Sequence, residues 1–152
     1  MALFSVVLNV NATPPPPQAG PTFETRVEAW LSQTGYNYRK VKSNSWYIIL
    51  TGRQLTQIRI LVGAGPSSMA VGAVVVPKRS LRVTADSLYK MMKLSYDLNY
   101  VRVCIDPDDD LLVMAQVEER SLNAQEFKKT VDRVAAAADR AYGEVQPFVI
   151  AP

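Results

Sequence analysis

The apolar side chains of this chain switch repeatedly between helical and strand spacing, and the order of those switches is the tightest constraint on its fold. Phe23, Val27, Trp30, Leu31 and Thr34 recur every three or four residues, as one face of a helix requires. Thr22 can cap the start of this helix and Gly35 can end it. Strand-type runs follow: a weak one at Tyr36 to Val41, then Trp46 to Thr51, Gln57 to Val62, and Met69 to Val76 before Pro77. Ser43-Asn44, Gly52-Arg53 and Gly63-Ala64-Gly65-Pro66 supply the turns between them.

Helical spacing returns after Thr84, with Leu88, Met91, Met92, Ser95 and Leu98 predicted on the inner face and Tyr96 to one side. This helix is expected to end near Asn99-Tyr100. Val101 to Ile105 and Leu111 to Val117 then read as a hairpin joined by Asp106-Pro107-Asp108-Asp109-Asp110. A last helix starts after Asn123, with Glu126 at the capping-box position and Phe127, Val131, Val134, Ala138 and Tyr142 as its stripe; Gly143 is expected to close it. The pattern predicts an α+β domain, with three helices against one antiparallel sheet of five or six strands. Residues 22–143 form this domain and residues 144–152 a tail.

The first 22 residues carry no charged side chain. Phe4, Val6, Leu8 and Val10 alternate with Ser5, Val7, Asn9 and Asn11, close to the pattern of a half-buried strand. Pro14 to Pro17 follow, so residues 1–21 read as an apolar arm on a Pro-rich linker. At about 3.1 Å per residue, the link from Ala12 to Pro21 reaches about 30 Å. The arm is expected to add a strand to a sheet edge, on this chain, a second copy or another protein, the alternative being a frayed terminus.

With 152 residues, 48% of them apolar, the chain can bury one full core. It has no histidine and one cysteine, Cys104. That excludes Ser-His-Asp and Cys-His nucleophiles and the usual zinc sites, and allows no internal disulfide. Cys104, in an alternating run, is expected to be buried and inert. No apolar run is long enough to span a membrane, and the apolar start lacks a basic stretch before it and a clear cleavage site after it. A cytoplasmic location is expected.

Several short motifs invite chemistry and fall short. Ser87-Leu88-Tyr89-Lys90 has the Ser-x-x-Lys spacing of a lysine-activated serine but lacks the companion motifs. Asp106, Asp108 and Asp110 alternate like calcium ligands, yet Leu111 and Val117 stand where such a loop needs glycine and glutamate. Gly63-Ala64-Gly65 has Ser68 at the third glycine position and a strand after it. No catalytic residue, metal or cofactor is predicted. Net charge is +3 and the pI near 9.1. The positive charge gathers in Arg39, Lys40 and Lys42, beside Tyr36 and Tyr38, and in Lys78, Arg79 and Arg82. Together these clusters define a nucleic-acid-binding alternative.

The stretch from Leu88 through Leu94 to Leu98-Asn99 resembles the leucine-rich helix ending in Leu-Asn of YbjN-type bacterial proteins. Val101 to Asp106 with Leu111 to Ala115 resembles their hairpin, and Ser121 to Phe127 their polar lead into the final helix. The order helix, three strands, helix, two strands, helix is similar to the type III secretion chaperone-like fold, over about Thr22 to Tyr142. The resemblance implies a homodimer whose surfaces bind protein segments. The sequence departs from the secretion chaperones in being basic and in carrying the arm. A protein-binding module is therefore expected, with Phe4, Val6, Leu8 and Val10 of the arm and exposed Trp46, Tyr47 and Tyr96 meeting the partner.

Overall fold

The computed structural model describes residues 20–150. Its main elements are α1 (Phe23–Thr34), β1 (Tyr38–Lys42), β2 (Ser45–Leu50), β3 (Ile58–Ala64), β4 (Ser68–Val76), α2 (Ala85–Asp97), β5 (Arg102–Ile105), β6 (Leu111–Glu118) and α3 (Ala124–Val145). The weak first strand is present, so four strands rather than three precede α2. All six form one antiparallel sheet in the order β1-β2-β3-β4-β6-β5.

The helix starts follow side-chain chemistry. Thr22 Oγ1 accepts from Thr25 N, Asn123 Oδ1 accepts from Glu126 N at 2.9 Å, and Thr84 and Ser87 form a reciprocal capping box. At the other end of α1, Gly35 takes a left-handed φ of 72°, where a side chain would be strained. Helix α2 stops at Asp97, slightly before the expected Asn99-Tyr100. Helix α3 passes through Gly143 to Val145. That glycine serves close packing rather than termination, because a Cβ there would lie 3.3 Å from Gln54 Cγ. The segment after α3 is tied back to the domain, with Arg82 N donating to Phe148 O and Ile150 N to Ser80 O, both at 2.8 Å.

All three helices lie on one face of the sheet. Helix α3 packs on β3, β4 and β6, with α1 and α2 against its flanks. Trp46, Ile48, Ile60, Val62, Met69, Val71, Leu111 and Val113 point into that layer and meet Phe127, Val131, Val134 and Ala138 of α3 in a closed core. Trp46 is 0% exposed, which corrects its expected place on a partner-binding surface: it is a core residue. The α2 prediction also needs correction. Ser87, Met91 and Leu94 are its buried residues, while Leu88 and Met92 turn to solvent.

One polar contact locks α3 to the β2–β3 loop. The Asp139 carboxylate accepts from the backbone N–H groups of Arg53, Gln54 and Leu55 at 3.0, 2.8 and 2.9 Å. These bonds, led by that from Leu55, hold its pKa below the ordinary carboxylate value. Gly52 has no side chain because a Cβ would fall 2.1 Å from Asp139 Oδ1. Asp139→Asn is expected to cost about 2 kcal/mol in urea unfolding at pH 7, since hydrogen bonds to a charged acceptor contribute about 1.5–3 kcal/mol. The folded pKa is the lower one, so this stability is fully present above the unfolded value of about 3.9 and is lost as pH falls through the folded value. The asparagine variant should therefore lose less stability than the parent on acidification below about pH 4. Equal losses would mean that the carboxylate does not hold the loop.

Candidate protein-binding surfaces

Among the described residues, two apolar surfaces lie outside the core. The first is the outer face of the sheet, opposite the helices. Antiparallel sheets with one solvated face usually alternate apolar-in with polar-out. Here the outward positions include Tyr47, Ile49, Leu61 and Val74, each 40–46% exposed, together with Leu112 and Met114. Register explains how they group. Tyr47 pairs with Leu61, Leu61 with Gly72, and Gly72 with Met114, so a residue without a side chain sits between two large ones. Ser68 and Ala70 precede Gly72 on the same side of β4. The result is a trough of about 430 Å³ along β4, walled by Tyr47 and Leu61 on one side and Leu112 and Met114 on the other.

The second surface lies between α2 and β5. Leu88, Met92 and Tyr96 stand at i, i+4 and i+8 on one exposed stripe of α2, with Met92 74% and Tyr96 90% exposed. With Met91, Val103, Ile105 and Leu111 they border a groove of about 480 Å³. Cys104 also lines it. The thiol is half-buried rather than fully buried as expected, and its partial burial pushes its pKa up, which disfavours the reactive thiolate.

The other predicted residues are placed as follows. Tyr47 and Tyr96 are exposed, one on each surface. Phe4, Val6, Leu8 and Val10 lie outside the described residues. The two basic clusters do not form one patch. Lys40 stands level with Trp46, Val62 and Val71 across the sheet, three strand spacings or about 14 Å from β4. Lys78 follows β4 at the far end, seven residues beyond Val71 and so about 20 Å further along.

Several charges and rings of these clusters are already committed. Lys40 Nζ pairs with Glu24 and Glu28 at 2.9 and 2.7 Å, and Lys78 pairs with Asp109. The Tyr36 hydroxyl donates to Asp132 at 2.5 Å, and burial followed by that bond raises its pKa to about 12. The Tyr38 hydroxyl meets Ser32. Among the described residues Arg39, Lys42, Arg79 and Arg82 form no ion pair.

The weak chemical motifs resolve into structural roles. Ser87 is buried, and its hydroxyl accepts from Thr84 N at 2.8 Å and donates to Thr84 O at 3.0 Å. Lys90 reaches over the Phe148 ring instead. Asp106 Oδ1 accepts from the backbone of Asp108 and Asp110, and Asp110 Oδ1 accepts from Lys78 N. Asp109 takes a left-handed φ of 65°, which shapes the hairpin tip. Among the described residues no group of three or more acidic or cysteine side chains could hold a metal ion, and no helix is long and apolar enough to cross a membrane.

No protein-family model and no curated protein matches this sequence. Solved structures do match its fold. YbjN from E. coli is similar over 87% of this chain and 97% of its own, with a TM-score of 0.63 at 12% identity. A chain of the ExsC–ExsE complex is similar over 81% and 96%, with a TM-score of 0.60 at 11% identity. The Yersinia pestis type III secretion chaperone SycH, solved with a stable fragment of YscM2, is similar over 79% and 99%, with a TM-score of 0.54 at 11% identity. This chain therefore has the fold shared by YbjN and the type III secretion chaperones.

Proposed function

We propose that this chain is a non-enzymatic, chaperone-like protein-binding subunit. It pairs with a second copy through the α2–β5 groove and holds an extended apolar stretch of polypeptide in the trough on the outer face of its sheet. The observation that carries the reading is the trough itself. Placing apolar side chains on the solvent face costs solubility unless something covers them, and a cleft one strand wide, mainly apolar with Arg59 and Asp106 also lining it, suits an extended chain. Proteins of this fold that were solved together with protein partners, ExsC with ExsE and SycH with a YscM2 fragment, support it.

The test is titration of the full chain with a panel of ten-residue uncharged apolar peptides at about 0.1 M and 1 M salt. Contact through apolar walls should change less than about threefold between the two, whereas phosphate-type ion pairing would weaken by orders of magnitude. Leu61→Asp should abolish peptide binding, because it places an unpaired charge in the trough wall. A Leu61→Asp protein that is folded and binds the panel as the parent does overturns the reading. So does salt-labile binding of a nucleic acid with no peptide binding.

A further inference from the structure

We infer that the resident of the outer trough is this chain's own segment Phe4–Val10, docked on the same molecule, so that any other polypeptide must displace it. The inference rests on the trough being a polypeptide site and names its occupant. Four observations converge on that segment.

The first is chemical. The trough is lined mainly by apolar side chains, with Arg59 and Asp106 as its charged members, and Glu24 is the first charged side chain of the sequence. Phe4, Val6, Leu8 and Val10 would present one apolar face to Leu61, Leu112 and Met114, while Ser5, Val7, Asn9 and Asn11 would face water. The segment itself brings no charge into the trough.

The second is length. The outward run of β4 from Ser68 to Val74 and the segment from Phe4 to Val10 are both seven residues long, so an extended segment spans the trough from end to end.

The third is the attachment point. The linker joins α1 at Thr22. Glu24, two residues on, accepts from Asn44 N at 3.0 Å, and Asn44 O accepts from Ala64 N at 2.9 Å. The neighbouring Gly63 lines the trough. The arm is thus tethered at the sheet rim where the trough opens, and a linker reaching about 30 Å is ample to turn around that rim.

The fourth is the state of the sheet edges, the other places where an extended segment could bind. Strand β1 carries Arg39, Lys40 and Lys42 with a register shift between Lys40 and Lys42. Strand β5 has four residues. Charge, irregularity and shortness all blunt strand addition. The smooth apolar face is the better dock.

The experiment compares the methyl NMR spectra of the full chain and of a variant with Phe4, Val6, Leu8 and Val10 all changed to serine, each titrated with a synthetic peptide of residues 2–12. Docking predicts shifts between the two proteins at Leu61, Val74, Leu112 and Met114. It also predicts that the peptide binds the serine variant at least about tenfold more tightly, because in the parent a tethered copy competes at an effective concentration near the millimolar range. The same shifts should appear in a Met92→Glu background that prevents pairing. Their disappearance there means that the arm docks on the second copy, and overturns docking on the same molecule. Unmoved methyls with equal peptide binding to both proteins overturn the inference but leave the trough as a polypeptide site. Unmoved methyls with no peptide binding overturn both.

Discussion

With the proposed pairing through the α2–β5 groove, changing Met92 to glutamate is expected to convert a dimer to a folded monomer. Met92 stands exposed on α2 between Leu88 and Tyr96, beside the groove that Val103 and Ile105 complete. In a symmetric pair an apolar stripe meets its own copy, so one substitution enters the interface twice. An uncompensated charge buried there costs about 3–5 kcal/mol, which weakens pairing at least about 100-fold. The same glutamate on a lone subunit stays in water, and its effect on folding stability should remain within about 0.5 kcal/mol. Sedimentation equilibrium at micromolar concentration reads the mass directly. Tyr96→Ala should weaken pairing in the same direction by about 30-fold, as for an interfacial aromatic worth about 2 kcal/mol. A dimer that persists in both variants places the contact elsewhere, and a monomeric parent removes the pairing altogether.

Why Met92 emerges only from the structure follows from the composition of α2. Apolar residues occur at 91–94–98 spacing and again at 88–92–96, so two stripes overlap and periodicity alone cannot select the buried one. Packing against α3 and β5 selects Met91 and Leu94. Strand β2 presents the same ambiguity in period two. In Ser45-Trp46-Tyr47-Ile48-Ile49-Leu50 both faces are apolar, so alternation carries no sign of which is inside. By contrast, α1 and α3 have single stripes and local caps at Thr22 and Asn123, and their existence and facing were readable. The hairpin loop from Asp106 to Asp110 and the turn at Ser43-Asn44 were equally legible from turn chemistry, the latter with Asn44 at a left-handed φ of 57°.

What could not be read depends on partners distant in sequence. Nothing near Asp139 announces that it accepts three bonds from a loop 84 to 86 positions away. The separation of the two basic clusters follows from strand pairing, which sets β1 three strands away from β4. The trough likewise exists only because Gly72 pairs with Leu61 on one side and Met114 on the other. Sequence does preserve one hint of it. A strand that is apolar on both faces, in a domain with helices enough for only one, leaves apolar surface for something else to cover.

Adjacent residues of β2 provide the sharpest test of that two-faced sheet. Trp46→Ala is expected to cost about 3–5 kcal/mol, because the indole is fully buried beneath the helices and its removal leaves a cavity that the close-packed core cannot fill. Against a total stability of about 5–15 kcal/mol for such a domain, that loss should lower the melting temperature by roughly 10–20 °C. Tyr47→Ala, one residue on, removes a side chain from the opposite face. There its main partner is Leu61 across the strand pair, a contact worth about 0.2–1 kcal/mol. Its melting temperature should stay within about 5 °C of the parent, while peptide binding in the trough weakens by about tenfold or more. The two variants thus separate in opposite directions, one losing the fold and the other the ligand. Similar melting temperatures for both would mean that β2 does not divide its side chains between a core and a binding face, and the assignment of the trough would fall with it.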